Sequence, residues 1–116
     1  MELKEFYDEI GADYNAVLTR LMGNEAFIKK YLVKFLEDTN FEGLTQAVNK
    51  EDYPAVEVHA HTLKGLCSNL ELTALCDATT DMVVAVRAQD HARIAPLFEQ
   101  AQQAYLQIVA GIRQLA

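Results

Sequence analysis

Three side chains in the segment Ala60-His61-Thr62-Leu63-Lys64-Gly65-Leu66-Cys67-Ser68-Asn69-Leu70 stand at a spacing that could do chemistry. Residues three and four apart are neighbours on a helix surface, so Lys64 and Gly65 share a face with His61 and lie one turn beyond it. An imidazole is a competent nucleophile that is largely neutral at pH 7. Two potential cations on adjacent turns do nothing for helix stability, but they suit an anion, and a phosphoryl group on the imidazole would be one. A glycine inside a helix costs about 1 kcal/mol relative to alanine. A reason to keep Gly65 on an exposed face is that a partner's surface must come close to His61. Ser68 keeps the next turn small and polar. Glu57, at i−4, is within reach of the imidazole, although a solvated carboxylate is the simpler reading.

Other chemistry is harder to assemble. His59 and His61 spell HxH, but residues two apart on a helix point about 160° from each other and cannot share a metal. The same projection puts His59 at the core side, as a buried, hydrogen-bonded side chain, and His91 falls in a polar link at the surface. No set of clustered carboxylates with Glu-x-x-His ligands is present, so no metal site is expected. There is no P-loop and no kinase glycine motif, so phosphorylation from ATP by the chain itself is not expected. Cys67 and Cys76 both fall at apolar helical positions and read as reduced, buried thiols.

These residues must be positioned by helices. Almost every segment repeats apolar residues at helical spacing, and no run alternates like a half-buried strand. Five glycines and two prolines offer little turn chemistry for a sheet. The reading gives a weak amphipathic start over residues 2–10, ended at Gly11, and a short helix capped by Asp13 and stopped at Gly23. A third helix is capped by Asn24, with Phe27, Ile28, Tyr31, Leu32, Phe35 and Leu36 as its apolar stripe. After a break at Asp38 to Asn40 comes a short helix with Phe41, Leu44 and Val48 inward. Asp52 caps a long helix that tolerates Pro54 in its first turn. Its stripe is Val56, Ala60, Leu63, Cys67 and Leu70, opposite His61. A helix from about Leu72 to Ala88 uses Leu75, Cys76, Thr79, Met82, Val83 and Val86. The last helix, with Pro96 in its first turn, uses Leu97, Phe98, Ala101, Tyr105, Ile108, Ile112 and Leu115. Met22 and Met82 read as core or core-edge. The expected fold is all-α: an antiparallel four-helix bundle built from the four longest pieces, with additional short N-terminal helices over one end, and residues 1–116 as a single domain.

The chain has 116 residues, 51% of them hydrophobic, and 17 acidic against 10 basic side chains give a net charge of −7. That composition argues against disorder and against a nucleic-acid surface, which needs a lysine and arginine footprint. No run reaches the roughly 18 apolar residues of a membrane span, and no basic stretch leads into an apolar run at the start. A cytoplasmic location is expected, and Met1 with a well-capped start favours a free-standing chain.

The segment from Ala60 to Leu70 resembles the signature of histidine-containing phosphotransfer (HPt) domains: a phosphorylated histidine, an apolar residue, Lys-Gly, and small residues a turn later. Gly23-Asn24-Glu25-Ala26-Phe27 into Phe35-Leu36 is similar to that family's preceding helix, and Leu44 to Asp52 to its usual lead-in. The resemblance implies that His61 accepts the phosphoryl group, that Lys64 stabilises it, and that Gly65, Ser68 and Glu57 belong to the surface that docks a receiver domain. It implies a phosphoryl carrier rather than an enzyme, most simply a monomer. Its partners would be response-regulator receiver domains or a hybrid sensor kinase, with Mg²⁺ supplied by the receiver and no cofactor of its own. The sequence departs from the pattern at Glu71, where the family often has Gly, and at Leu66, where Ser or Ala is common. The alternative is an interaction module that docks a receiver or kinase without carrying phosphate.

Overall fold

The computed structural model describes residues 1–115. Seven α-helices account for most of the chain: α1 (Leu3–Glu9), α2 (Tyr14–Arg20), α3 (Glu25–Glu37), α4 (Asn40–Asn49), α5 (Tyr53–Asn69), α6 (Thr73–Arg87) and α7 (Ile94–Arg113). A short 3-10 turn, His91–Arg93, precedes α7. Helices α4, α5, α6 and α7 form the antiparallel four-helix bundle, joined by short links that allow only neighbouring, antiparallel placement. The two prolines sit where they cost nothing, each in a helix's first turn: Pro54 in α5 and Pro96 in α7.

Local capping chemistry sets the starts. Asp13 accepts from the Ala16 amide, Asn24 from Phe27 and Asp52 from Ala55, so each satisfies an orphan donor of its helix. Most of the ends share one device. At the α5 corner the Leu72 amide donates to the Cys67 carbonyl and the Glu71 amide to Ser68, with Glu71 at φ 55°. That is a Schellman closure with the left-handed residue at Glu71. The ends of α2, α4 and α6 repeat it with Met22, Glu51 and Gln89 in the left-handed position. Most of these turns are therefore made without glycine, which is why turn signals are sparse in the sequence.

On α5 the residues Val56, Ala60, Leu63, Cys67 and Leu70 are all buried, as their spacing of four and three requires. The fourth wall of the bundle is not one of the four longest helices. It is the ten-residue α4, continued past the Asp38–Asn40 break by α3. Phe41 of α4 stacks on Tyr105 of α7 at 3.9 Å and on Phe98 at 5.7 Å between ring centroids. On α3 only Ile28, Leu32 and Phe35 are buried. Phe27 and Tyr31 are 51% and 44% exposed, because one wall covers only part of the apolar stripe. Met22 is 94% exposed, not core, since its left-handed turn directs it to solvent. On α4, Ala47 is buried and Val48 only half-buried. Cys67 is buried, but Cys76 is half-buried, its thiol near the Lys64 carbonyl at 3.9 Å.

The N-terminal helices do more than cover an end. Phe6 of α1 lies on Gly111 of α7 so closely that a Cβ there would come within 2.6 Å of its ring. The buried Tyr7 hydroxyl donates to the Leu70 carbonyl at 2.7 Å. Arg20 of α2 pairs with Glu71. The α5–α6 corner is thus held from outside the bundle.

Burial, with the Glu71 carboxylate adding to it, pushes the Tyr7 phenol well above its usual 10.0. Burial likewise pushes the Cys67 thiol well above 9.0. Both groups keep their protons in the folded state at pH values where the unfolded chain loses them. The contribution is whole below about pH 8 for Cys67 and about pH 9 for Tyr7, and is lost as pH rises, by up to about 1.4 kcal/mol per unit for each group. Urea denaturation between pH 7 and 10.5 should show that decline. Tyr7→Phe should shrink the part above pH 10, at a cost near neutral pH of about 1–3 kcal/mol for the unpaired Leu70 carbonyl.

Candidate functional site

Helix α5 presents two faces of opposite character. Its buried stripe fixes its rotation, and the other side carries His61, Gly65 and Ser68, all exposed, with Lys64 half-buried at the edge toward α6. Among the described residues neither His61 nor Lys64 makes an ion pair. Val58 of α5 and Val84 of α6 are exposed by 62% and 53%.

The helical glycines separate packing from accessibility. A Cβ at Gly43 would sit 2.5 Å from the His59 ring, and one at Gly111 would sit 2.6 Å from Phe6. Both glycines are demanded by close approach inside the fold. A Cβ at Gly65 would meet nothing within 4 Å. Among the described residues nothing packs against Gly65, so its helix-propensity cost is unexplained from within.

His59 is hydrogen-bonded on the side its projection implies, but it is only half-buried rather than buried, because it lies at the edge of the α4–α5 contact. Half-buried, it packs over Gly43 and donates from Nδ1 to the Asn40 Oδ1 at 3.1 Å. It faces α4 while His61 faces solvent, so the two imidazoles serve different sides of the helix. His91 is exposed and stacks on Tyr53 at 3.7 Å. Glu57 does not hold the His61 ring. Its carboxylate accepts from the Arg87 Nε at 3.0 Å, across the groove between α5 and α6. Nothing in the sequence near Arg87 marks it as a neighbour of the His61 face. It lies 30 positions from Glu57, and only the antiparallel register of α5 and α6 brings the two together.

The Hpt domain family model matches residues 30–114 of the chain. The chain belongs to the Hpt domain family. No curated protein and no solved structure gives a match. Membership places the chain among histidine phosphotransfer modules of phosphorelays, which carry phosphoryl groups and have no ATP site of their own. It also gives the sequence departures a structural setting. In this Hpt domain Glu71 occupies the left-handed position of the α5–α6 corner, where glycine is the unstrained choice, and Arg20 secures its carboxylate. Leu66 is half-buried and lines a cleft of about 520 Å³ with Tyr31, Phe35, Asn69 and Leu70. No helix among the described residues is long and apolar enough to cross a membrane.

If Gly65 is free of internal packing, Gly65→Ala should stabilise the fold by up to about 1 kcal/mol through helix propensity. Gly43→Ala should destabilise it, because the His59 ring must move. Urea midpoints of the two variants check both, and a loss of stability in Gly65→Ala would show a neighbour the fold does not display.

Proposed function

We propose that this Hpt domain carries a phosphoryl group on His61, exchanging it with the aspartate of a response-regulator receiver domain. The observation that carries the reading is the bare space over Gly65, one turn from an exposed histidine in mid-helix. In the forward step a ring nitrogen of His61 attacks the phosphorus of the receiver's aspartyl phosphate. The new P–N bond forms, the P–O bond to the aspartyl oxygen breaks, and the carboxylate leaves. Return transfer is the reverse. A loose phosphoryl-transfer transition state asks mainly for in-line placement and charge neutralisation. Here a buried stripe holds the nucleophile's helix steady, Lys64 supplies positive charge beside it, and the open surface at Gly65 and Ser68 admits the receiver. The receiver brings the aspartate and Mg²⁺, in the cytoplasm.

The sequence features that would favour the alternative, a docking module without phosphate, are the departures at Glu71 and Leu66. Glu71 is held at the corner by Arg20, and Leu66 belongs to the cleft wall. Neither departure occupies the face of His61.

Incubation with a ³²P-labelled receiver should transfer acid-labile, alkali-stable label to the wild-type chain and none to His61→Gln. Label persisting on His61→Gln would overturn the assignment, and no transfer from any receiver would favour the docking module. Gly65→Glu should keep its helical content and melting behaviour yet lose receiver-dependent transfer by at least about tenfold, since a charged side chain then fills the approach path. Normal transfer by that variant would remove Gly65 from the account.

A further inference from the structure

The Glu57–Arg87 pair sits where a structural account leaves it idle. Arg87 is exposed and Glu57 half-buried at the surface, and such surface pairs contribute little to stability. Its position is what matters. Glu57 lies one turn before His61 on the same face of α5, at the spacing that makes side chains neighbours. Cys76 packs near the Lys64 carbonyl and Arg87 holds Glu57, so two contacts of α6 bracket His61 along α5. The carboxylate one turn below the histidine is thereby matched by a guanidinium from the next helix, while Lys64 stands one turn above.

We infer that Arg87 is a positioning and charge-setting residue for His61: it neutralises Glu57 and draws that carboxylate sideways, toward α6 and off the imidazole. This rests on the reading of His61 as a phosphoryl acceptor. A bare carboxylate at i−4 opposes that chemistry in two ways. It repels the phosphoryl dianion that must approach the ring, and it competes for the imidazole as a hydrogen-bond acceptor. With Arg87 in place the Glu57 carboxylate is met from α6, and the Lys64 charge one turn above His61 is not offset by it. Without it, Glu57 and Lys64 cancel.

Phosphoramidate provides a test that needs no receiver. A ring nitrogen of His61 bonds to its phosphorus, the P–N bond of the reagent breaks, and the departing nitrogen takes up a proton and leaves as ammonia. Labelling of His61 is followed by mass spectrometry in wild type, Arg87→Ala, Glu57→Gln and the double variant, with thermal melts alongside. Arg87→Ala should label about three- to tenfold more slowly, as expected for one unit of charge a helical turn away near a surface. Glu57→Gln should label faster than wild type. Glu57→Gln/Arg87→Ala should return close to the wild-type rate, and 1 M salt should compress all the differences. A merely structural arginine predicts that the double variant is as slow as Arg87→Ala, and that result would overturn the inference. So would wild-type labelling rates in Arg87→Ala. Failure of wild-type His61 to take label at all would instead sink the acceptor reading on which the inference depends.

Discussion

One constraint organises the molecule: α5 and its C-cap must seal a narrow stripe of five residues. Val56, Ala60, Leu63, Cys67 and Leu70 are sealed against the bundle. Because they recur every three or four positions, they fix the rotation of the helix about its axis. His61 faces outward as a consequence of that rotation, not through any hydrogen bond of its own. A slip of the stripe by one residue would turn the histidine about 100° toward a neighbouring helix. Every other element can be understood as holding this stripe in register. α4 supplies Gly43 for His59 to lie on, α6 covers the opposite flank, and α7 closes the bundle through the Phe41, Phe98 and Tyr105 stack.

The face left over is defined by what is missing from it. Gly43 and Gly111 each accommodate an aromatic ring, whereas Gly65 accommodates nothing among the described residues. The electrostatics follow the same division. The acidic excess of the chain is spread over its surface, while around His61 the carboxylate of Glu57 is occupied by Arg87 and Lys64 is without an ion-pair partner among the described residues. An overall charge of −7 therefore says little about the local field that an incoming anion would meet.

What could be read from the sequence was local or periodic. The caps at Asp13, Asn24 and Asp52, the stripe of α5 and the outward direction of His61 follow from spacings of a few residues, and the fold agrees with them. Errors arose where burial depends on what lies opposite. Phe27 and Tyr31 share the periodicity of Ile28 and Leu32, yet only part of that stripe finds a wall. Met22 looks apolar in sequence, but it takes the left-handed position one residue before Gly23, the stop that the sequence does signal. Cys76 lies at the edge of the α5–α6 contact and is only half covered. Arg87 was illegible for a different reason: its partner is 30 residues away, and only the register of two antiparallel helices joins them.

The corner at Glu71 bears on where this domain can be cut. The segment that matches the family begins at residue 30, yet three of the contacts that steady the bundle come from before it. Arg20 balances Glu71, Tyr7 satisfies the Leu70 carbonyl, and Phe6 fills the hollow over Gly111. A graft of residues 30–114 into another protein would carry the histidine and its helix but leave a strained acidic turn without its counter-ion, a buried acceptor without its donor and a hollow open to water. The recognisable portion is shorter than the portion that supplies these contacts, and the difference is α1, α2 and the first turn of α3.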